Sequence, residues 1–360
     1  MTQVALDSPP SIFVPKLEIK PLGSQDSGAW EEYVQDHPDA TMFHPLLWSA
    51  AVQSAYGHEP MHLVAWRGGH VVGVLPLSMV KSLFVGKVLV SVACATYGGI
   101  LADSGDIARA LAQAAQNLCH DLGAQYLELR HREPVDTGFA EVGQYVTFRK
   151  LLPTQVNDVL PSLPRKARAA ARAGLDAFGP EAVLSGPEHL GDIHYLYALT
   201  MRRLGSPSHR WSFFVHLAEL FGDDCVCLLL RRNGRPVAGV VSFLFRDEIV
   251  PYFSGSTQEG MECNANNVMY LRLMEYAVLR GLRWFDFNRS RRDNPGPYHF
   301  KIHQGFDPQP LHYQVCLLRR SEAPNLTPGN PKLALAQRVW RRLPLRITRS
   351  AGGMIWKWIP

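Results

Sequence analysis

Asp286 and Asn288 stand two residues apart in the run Trp284-Phe-Asp-Phe-Asn288. A strand would place Trp284, Asp286 and Asn288 on one face and Phe285 and Phe287 on the other. A carboxylate beside an amide can hold an attacking amine or take its proton. The same aspartate can instead be structural, satisfied by Arg289 or by the backbone. Upstream, Tyr252-Phe-Ser-Gly-Ser256 reads as a second strand, and Tyr252 joins Asp286 and Asn288 as a candidate catalytic residue. Between the strands, Asn266-Asn267 opens an apolar helix that carries Tyr270. The first amides of such a helix have no intrahelical partner and suit an anion or an oxyanion, while an asparagine there is also a good cap.

Charge follows in Gly296-Pro-Tyr-His-Phe-Lys301, read as a loop facing phosphate. Lys301 lies between Phe300 and Ile302, and a lysine anchored by apolar neighbours commonly pairs with phosphate or carboxylate. In a second basic cluster, Pro164-Arg165-Lys166-Ala167-Arg168 with Arg172, the residues Arg165, Arg168 and Arg172 would share one helical face and suit a diphosphate, or form a solvated surface. The candidate substrate-binding set is therefore Arg165, Lys166, His209, Ser254, Asn266, Asn267, Tyr270, Arg289, Tyr298 and Lys301.

Other chemistries find less footing. There is no Gly-x-Ser-x-Gly elbow, Walker loop or dinucleotide fingerprint. His299 and His303 are four apart but have no adjacent glutamate and no third ligand in view, so no metal site is expected. Six cysteines, including Cys225 and Cys227, fit reduced and buried thiols.

The elements that must position these residues occur twice. Thr41-Met-Phe-His44 to Tyr56-Gly57 matches Ser206-Pro-Ser-His209 to Phe221-Gly222, with thirteen residues from histidine to glycine in both copies. Leu63-Val-Ala-Trp-Arg-Gly68 to Gly73 aligns with Leu229-Leu-Arg-Arg-Asn-Gly234 to Gly239, and Gly123 to Leu129 aligns with Gly281 to Phe287. Each copy reads helix, hairpin, helix, strand. The reading is an α/β chain with a loose arm over 1–16, a first unit over 17–152, a second over 153–320 and a basic tail over 321–360. Pro153, Pro161 and Pro164 mark the boundary between units, and Pro324, Pro328 and Pro331 the one before the tail.

The tail holds the charge imbalance. From Lys332 onward there are seven basic residues and no acidic one, whereas the whole chain is only +5, so the body is slightly acidic. That disfavours a surface made throughout for nucleic acid. A helix over 333–343 with Leu335, Val339 and Trp340 beside arginines, followed by Trp356 and Trp358, suits a membrane surface through residues 332–360 or packing on its own domain. No run of 18 apolar residues exists. The start, with Asp7 and four prolines in 21 residues, does not resemble a secretory signal. A cytoplasmic location is expected, peripheral on the membrane's inner face if the tail binds there.

Taken together, Tyr252-Phe-Ser-Gly, Asn266-Asn267-Val-Met-Tyr270, the glycine-aromatic-Asp286-Phe-Asn run and Gly296-Pro-Tyr-His-Phe-Lys301 before Gly305-Phe306 resemble the FemAB-type aminoacyltransferases. Within them, the branch encoded with exosortase and exopolysaccharide systems is the nearer match. The resemblance implies two tandem GNAT-like domains and transfer of an aminoacyl or other acyl group to an amine, with no bound cofactor. The donor is either aminoacyl-tRNA or an acyl thioester. The acceptor is a diphosphate-bearing envelope precursor, with Lys301, and more loosely Arg165 and Lys166, near its phosphates. The acyl-CoA fingerprint is replaced by Glu259-Gly-Met-Glu-Cys-Asn264, and there is no coiled-coil arm of the kind that meets tRNA. Two rival expectations stand beside it, a non-catalytic module of the same fold docking a polysaccharide assembly and a CoA-dependent N-acetyltransferase.

Overall fold

In the computed structural model, residues 15–178, 182–322, 330 and 333–360 are described. Most of the expected N-terminal arm and the three prolines before the tail lie outside them. The first unit contains β1 (Leu17–Pro21), α1 (Ser27–Asp36), α2 (Leu46–Tyr56), β2 (Leu63–Arg67), β3 (His70–Leu75), β4 (Ser78–Ser82), β5 (Gly86–Val90), α3 (Gly105–Asp121), β6 (Tyr126–His131), β7 (Tyr145–Thr147) and β8 (Arg149–Leu151). The second contains α4 (Arg165–Phe178), β9 (Ala182–Ser185), α5 (Leu190–Leu204), α6 (Trp211–Phe221), β10 (Cys225–Arg232), β11 (Arg235–Phe245), β12 (Glu248–Ser256), α7 (Ala265–Leu279), β13 (Trp284–Asp286), α8 (Pro295–His303) and β14 (His312–Leu317). Two tail helices follow, α9 (Ala334–Arg342) and α10 (Leu345–Ile355).

The repeated blocks fold alike. Each aligned helix, α2 and α6, ends at its glycine; Gly57 has φ 74, a left-handed value that favours glycine. Each hairpin precedes a helix and a strand that runs parallel to an earlier one. In the first unit β5 and β6 pair through Leu89↔Leu127 and Val90↔Glu128; in the second, β12 and β13 pair through Glu248↔Trp284 and Ile249↔Phe285. After two residue pairs both couples part. Such a splay leaves one strand edge without a ladder partner.

The units exchange strands, which the repeat did not foretell. The second sheet runs β8-β13-β12-β11-β10-β9, so β8, before the expected boundary, closes it beside β13. The first sheet takes β14, from beyond that boundary, antiparallel to β6 from His312↔His131 to Leu317↔Tyr126. A single apolar core crosses between units. Trp48 of α2 meets Phe213, Phe221, Phe243 and Tyr252 edge-on at 5.1–6.4 Å between ring centroids. Tyr56 Oη lies 2.7 Å from His209 Nδ1, so the two matched helices meet face to face.

Some local expectations change. Gly296 to Lys301 is not a loop but most of α8, because Pro295 at its first position holds the helical φ in advance. Helix α7 begins at Ala265, so Asn266 and Asn267 are first-turn residues, and Asn264 occupies the cap position with φ 58. The tail forms two helices where one was expected, because Pro344 starts a second.

Candidate active site

Where β12 leaves β13, a cleft of about 650 Å³ opens. Its floor is β12, its walls are α5, α7 and α8, and Trp356 from the tail closes one side. The register of β12 against β11 slips between Val241↔Phe253 and Ser242↔Pro251, so Tyr252 is an extra, bulged residue at the point of divergence. Gly255 allows α5 to lie directly on this strand: a Cβ there would come 2.2 Å from the Leu196 main chain.

Of the residues singled out from sequence, His209, Tyr252, Ser254, Asn266, Tyr270, Asn288, Arg289 and Lys301 line the cleft. Tyr270 Oη donates to Ser254 Oγ at 3.1 Å, and Tyr252 Oη donates to the Cys94 carbonyl at 2.7 Å, tying the bulge to the first unit. Asn288, with φ 60, bridges the splay by donating Nδ2 to the Pro251 carbonyl at 3.1 Å. Its Oδ1 is buried and has no protein partner.

Arg289 lines the cleft together with Arg203 and Lys301. Its guanidinium donates to Tyr313 Oη at 2.9 Å and lies 4.8 Å from the centroid of the Tyr145 ring. Burial pulls its pKa down, but the phenols of Tyr313, Tyr145 and Tyr252 outweigh that and hold it up. No carboxylate among the described residues forms an ion pair with it, and one of its five N–H groups is given to the Tyr313 phenol.

Lys301 has a different set of partners from the one expected of a phosphate ligand. Its Nζ donates to the carbonyls of Phe287, Asn288 and Arg289 at 2.7, 2.8 and 3.1 Å. Burial pulls its pKa down to about 7, with Asp286 pulling the other way. Three acceptors match the three protons of an ammonium, so the geometry favours the charged form. The lysine pins the turn that carries Asn288 and Arg289.

Asp286 is fully buried and lies off the cleft wall. It accepts from Thr147 Oγ1 at 3.0 Å, from Tyr97 Oη at 3.0 and 3.2 Å, and from the Asn288 amide at 2.7 Å. Its partners are thus two hydroxyls from the first unit and the backbone, not Arg289. Asn267 Oδ1 is taken by Gln304 Nε2 at 2.7 Å, and Tyr298 packs edge-on to Phe148. Arg165 and Lys166 are exposed on α4, away from the cleft lining.

The cleft also uses residues that sequence reasoning passed over: Thr96, Tyr197, Thr200, Arg203 and Trp356. Trp356 stacks on His209 at 3.9 Å and donates Nε1 to the Pro207 carbonyl at 3.1 Å. Burial, then the neighbouring His194, pushes the His209 pKa down to about 3, so the ring is a neutral packing group near pH 7. Thr200 and Arg203 project from α5 onto the end of β12, where Thr200 Oγ1 and Arg203 Nη1 each donate to the Ser256 carbonyl at 3.3 Å.

Several amides of the bend before α7 are paired internally, while those of Ala265 and Asn266, in the first turn of the helix, have no acceptor of their own within it. Gly260 N donates to Thr257 Oγ1, Met261 N to the Thr257 carbonyl, and both Asn267 N and Val268 N to the Asn264 carbonyl.

Two splayed α/β units with a bulged strand at the divergence define the class: the chain is a tandem of GNAT-like domains. Residues 162–301, within the second unit and its approach, match the family described as Acetyltransferase (GNAT) domain. Among solved structures, FemX is 14% identical with a TM-score of 0.65, over 84% of this chain and 98% of that one. A tandem GNAT protein from the clavulanic acid biosynthesis pathway is 16% identical with a TM-score of 0.53, over 85% and 100%. The C-terminal domain of a putative lysylphosphatidylglycerol synthetase from Agrobacterium fabrum is 10% identical with a TM-score of 0.55, over 83% and 93%. At these identities the likeness is one of fold. No curated protein matches the sequence.

Proposed function

We propose that the protein transfers an aminoacyl or other acyl group to the amine of an anionic acceptor in the cleft between β12 and β13. The observation that carries this is the edge of β12 beyond Ile249, which has no strand partner among the described residues, near a half-buried arginine that pairs with no carboxylate among them. The acyl carbonyl lies along that edge, where main-chain amides stabilise the oxyanion as the amine nitrogen attacks. The acceptor's phosphate or carboxylate pairs with Arg289, and a bidentate pair there fixes the amine's approach. The new amide forms as the bond to the donor's ester oxygen or thioester sulfur breaks.

The cleft lining includes no carboxylate. The proton leaving the amine therefore passes to the acceptor's own anionic group or to water, and ends on the departing oxygen or sulfur. A diphosphate-bearing envelope precursor meets the requirement for an anionic acceptor. The run Glu259-Gly-Met-Glu-Cys-Asn264, in place of the acyl-CoA fingerprint, favours a donor recognised through its acyl group over one held by the diphosphate of coenzyme A.

The test is to supply labelled aminoacyl-tRNA and labelled acyl-CoA separately, with envelope precursors as acceptors, and score which label moves. Arg289→Gln should raise KM for an anionic acceptor by about 10- to 100-fold, the loss of one to two charge-assisted bonds, and leave a neutral amine acceptor unaffected. Equal losses on both acceptors would discard the anion assignment.

A further inference from the structure

Residues 333–360 contain six basic side chains and no acidic one, and they fold as two helices with contrasting faces. α9 rests on the end of α5, where Arg341 Nη2 donates to the Leu204 carbonyl at 3.2 Å and Gln337 lies against Gly205. Its other face presents Leu335, Arg338, Val339 and Arg342, spaced i, i+3, i+4 and i+7. Leu335 is 69% exposed and Val339 51%. Among the described residues of α9 none is buried.

α10 is anchored more firmly. Thr348, Gly352 and Gly353 are buried, and a Cβ on Gly352 would come 2.7 Å from the Ser208 amide. Arg346, Ile347 and Met354 point outward, Ile347 at 50% and Met354 at 51% exposure. Beside this helix a hollow of about 470 Å³ is lined by Arg210, Arg346, Arg349, Trp211, His194 and Ser350, with no carboxylate.

Aliphatic side chains interleaved with arginines, on the outward faces of both helices, match a bilayer interface: the apolar groups enter the acyl boundary while guanidiniums meet phosphates. Nucleic acid would pair with the arginines but leave Leu335, Val339, Ile347 and Met354 in water. No helix among the described residues is long and apolar enough to cross a membrane, so the attachment is one of surface. We propose that residues 333–360 dock the protein on an anionic phospholipid bilayer, with the hollow at Arg210, Arg346 and Arg349 receiving a headgroup phosphate. The surface adjoins the cleft, because Trp356 follows α10 directly and forms part of the cleft wall. Docking does not depend on what reaction the cleft performs.

The experiment is flotation of the full chain with phosphatidylcholine vesicles, with and without phosphatidylglycerol, at low and high salt. The protein should float only with phosphatidylglycerol present, and less at high salt. Arg346→Glu with Arg349→Glu should weaken binding by about tenfold or more, from roughly 1 kcal/mol for each basic residue near the surface. Leu335→Ser with Val339→Ser should also weaken it about tenfold, without altering charge, since each loses exposed aliphatic area that the bilayer would bury. Leu335, Val339 and Arg346 are exposed while Arg349 is half-buried beside His194, so unchanged circular dichroism and melting should accompany the loss from the aliphatic pair, and Arg346→Glu alone should weaken binding in the same direction with the fold intact. Three results would overturn the proposal: no flotation at low salt, binding indifferent to the Leu335 and Val339 changes, or retention of RNA in place of vesicles. Abolition of flotation by millimolar inorganic phosphate, with the aliphatic pair irrelevant, would mark the hollow as a free-phosphate site and equally refute docking.

Discussion

Replacing Lys301 with methionine separates two roles for the same side chain. Methionine matches the length of the lysine stem but offers no donor, so the carbonyls of Phe287, Asn288 and Arg289 lose the ammonium that holds them. Each hydrogen bond to a charged group contributes about 1.5–3 kcal/mol. Part of that is offset because a buried ammonium no longer has to be desolvated, and Arg289 lies partly open to the cleft, where water can replace the lost donor. The net loss should be about 3–5 kcal/mol of unfolding free energy, the range found when one partner of a buried charged set is removed. Urea unfolding followed in parallel by tryptophan fluorescence and far-ultraviolet circular dichroism would read it as a lower midpoint at constant m-value. Activity should fall as well, because the turn that aims Asn288 and Arg289 is released. Stability within about 1 kcal/mol of the parent, with a selective loss of affinity for a diphosphate acceptor, would refute this reasoning and return Lys301 to the phosphate-binding role its sequence context suggested.

Two further perturbations test the frame around the cleft. Gly255→Ala drives a Cβ into the Leu196 main chain, which cannot yield as a side-chain tip would, and should destabilise by about 3 kcal/mol or more while lowering activity. Gly296→Ala, on the same cleft but with nothing within 4 Å of the added carbon, should leave both nearly unchanged. Acid should unfold the protein early. His62, His131 and His194 are held down to about 4 by burial, and His44 and His209 to about 3. The unfolded chain takes up those protons below about pH 6.5 while the folded one does not, so stability is lost as pH falls from about 6.5 toward 4, and for His44 and His209 toward 3, and levels off below. Each contributes of order 1–2 kcal/mol between pH 7 and 5, measurable by denaturant titration at the two values. A flat profile over that window would mean that these rings take up protons in the native state as readily as in the unfolded chain.

Much of the architecture was legible because it rests on short-range pattern. The thirteen-residue spacing from His44 to Gly57 and from His209 to Gly222 marks a helix with a glycine stop in both copies, and both form. The alternation at Trp284 to Asn288 marks a strand, and its first three residues are one. Strand exchange was not legible. β8 and β14 are short segments whose apolar pattern suits any sheet edge, and their assignment depends on which edge is nearest once both units have folded. The site was legible in part. Tyr252, Ser254, Asn288 and Arg289 come together because two strands and a turn place them locally. Trp356 and Thr96 join them through contacts made across more than a hundred residues, and Arg203 by way of α5.

By itself, then, the chain's order of residues determined that two similar α/β units exist, that the second holds the polar strands and the arginine of the cleft, and that the tail is basic and amphipathic. Those properties are carried by spacing and composition, which do not need a neighbour. What only the tertiary structure decided is the task each charge performs. Asp286, Lys301 and Arg289 lie within sixteen residues of one another and look equally available on paper. Folding surrounds Asp286 with hydroxyls and an amide and gives Lys301 three carbonyls, while Arg289 is left facing open space. A charge that folding has already satisfied supports the structure, and one that it has not satisfied awaits a ligand.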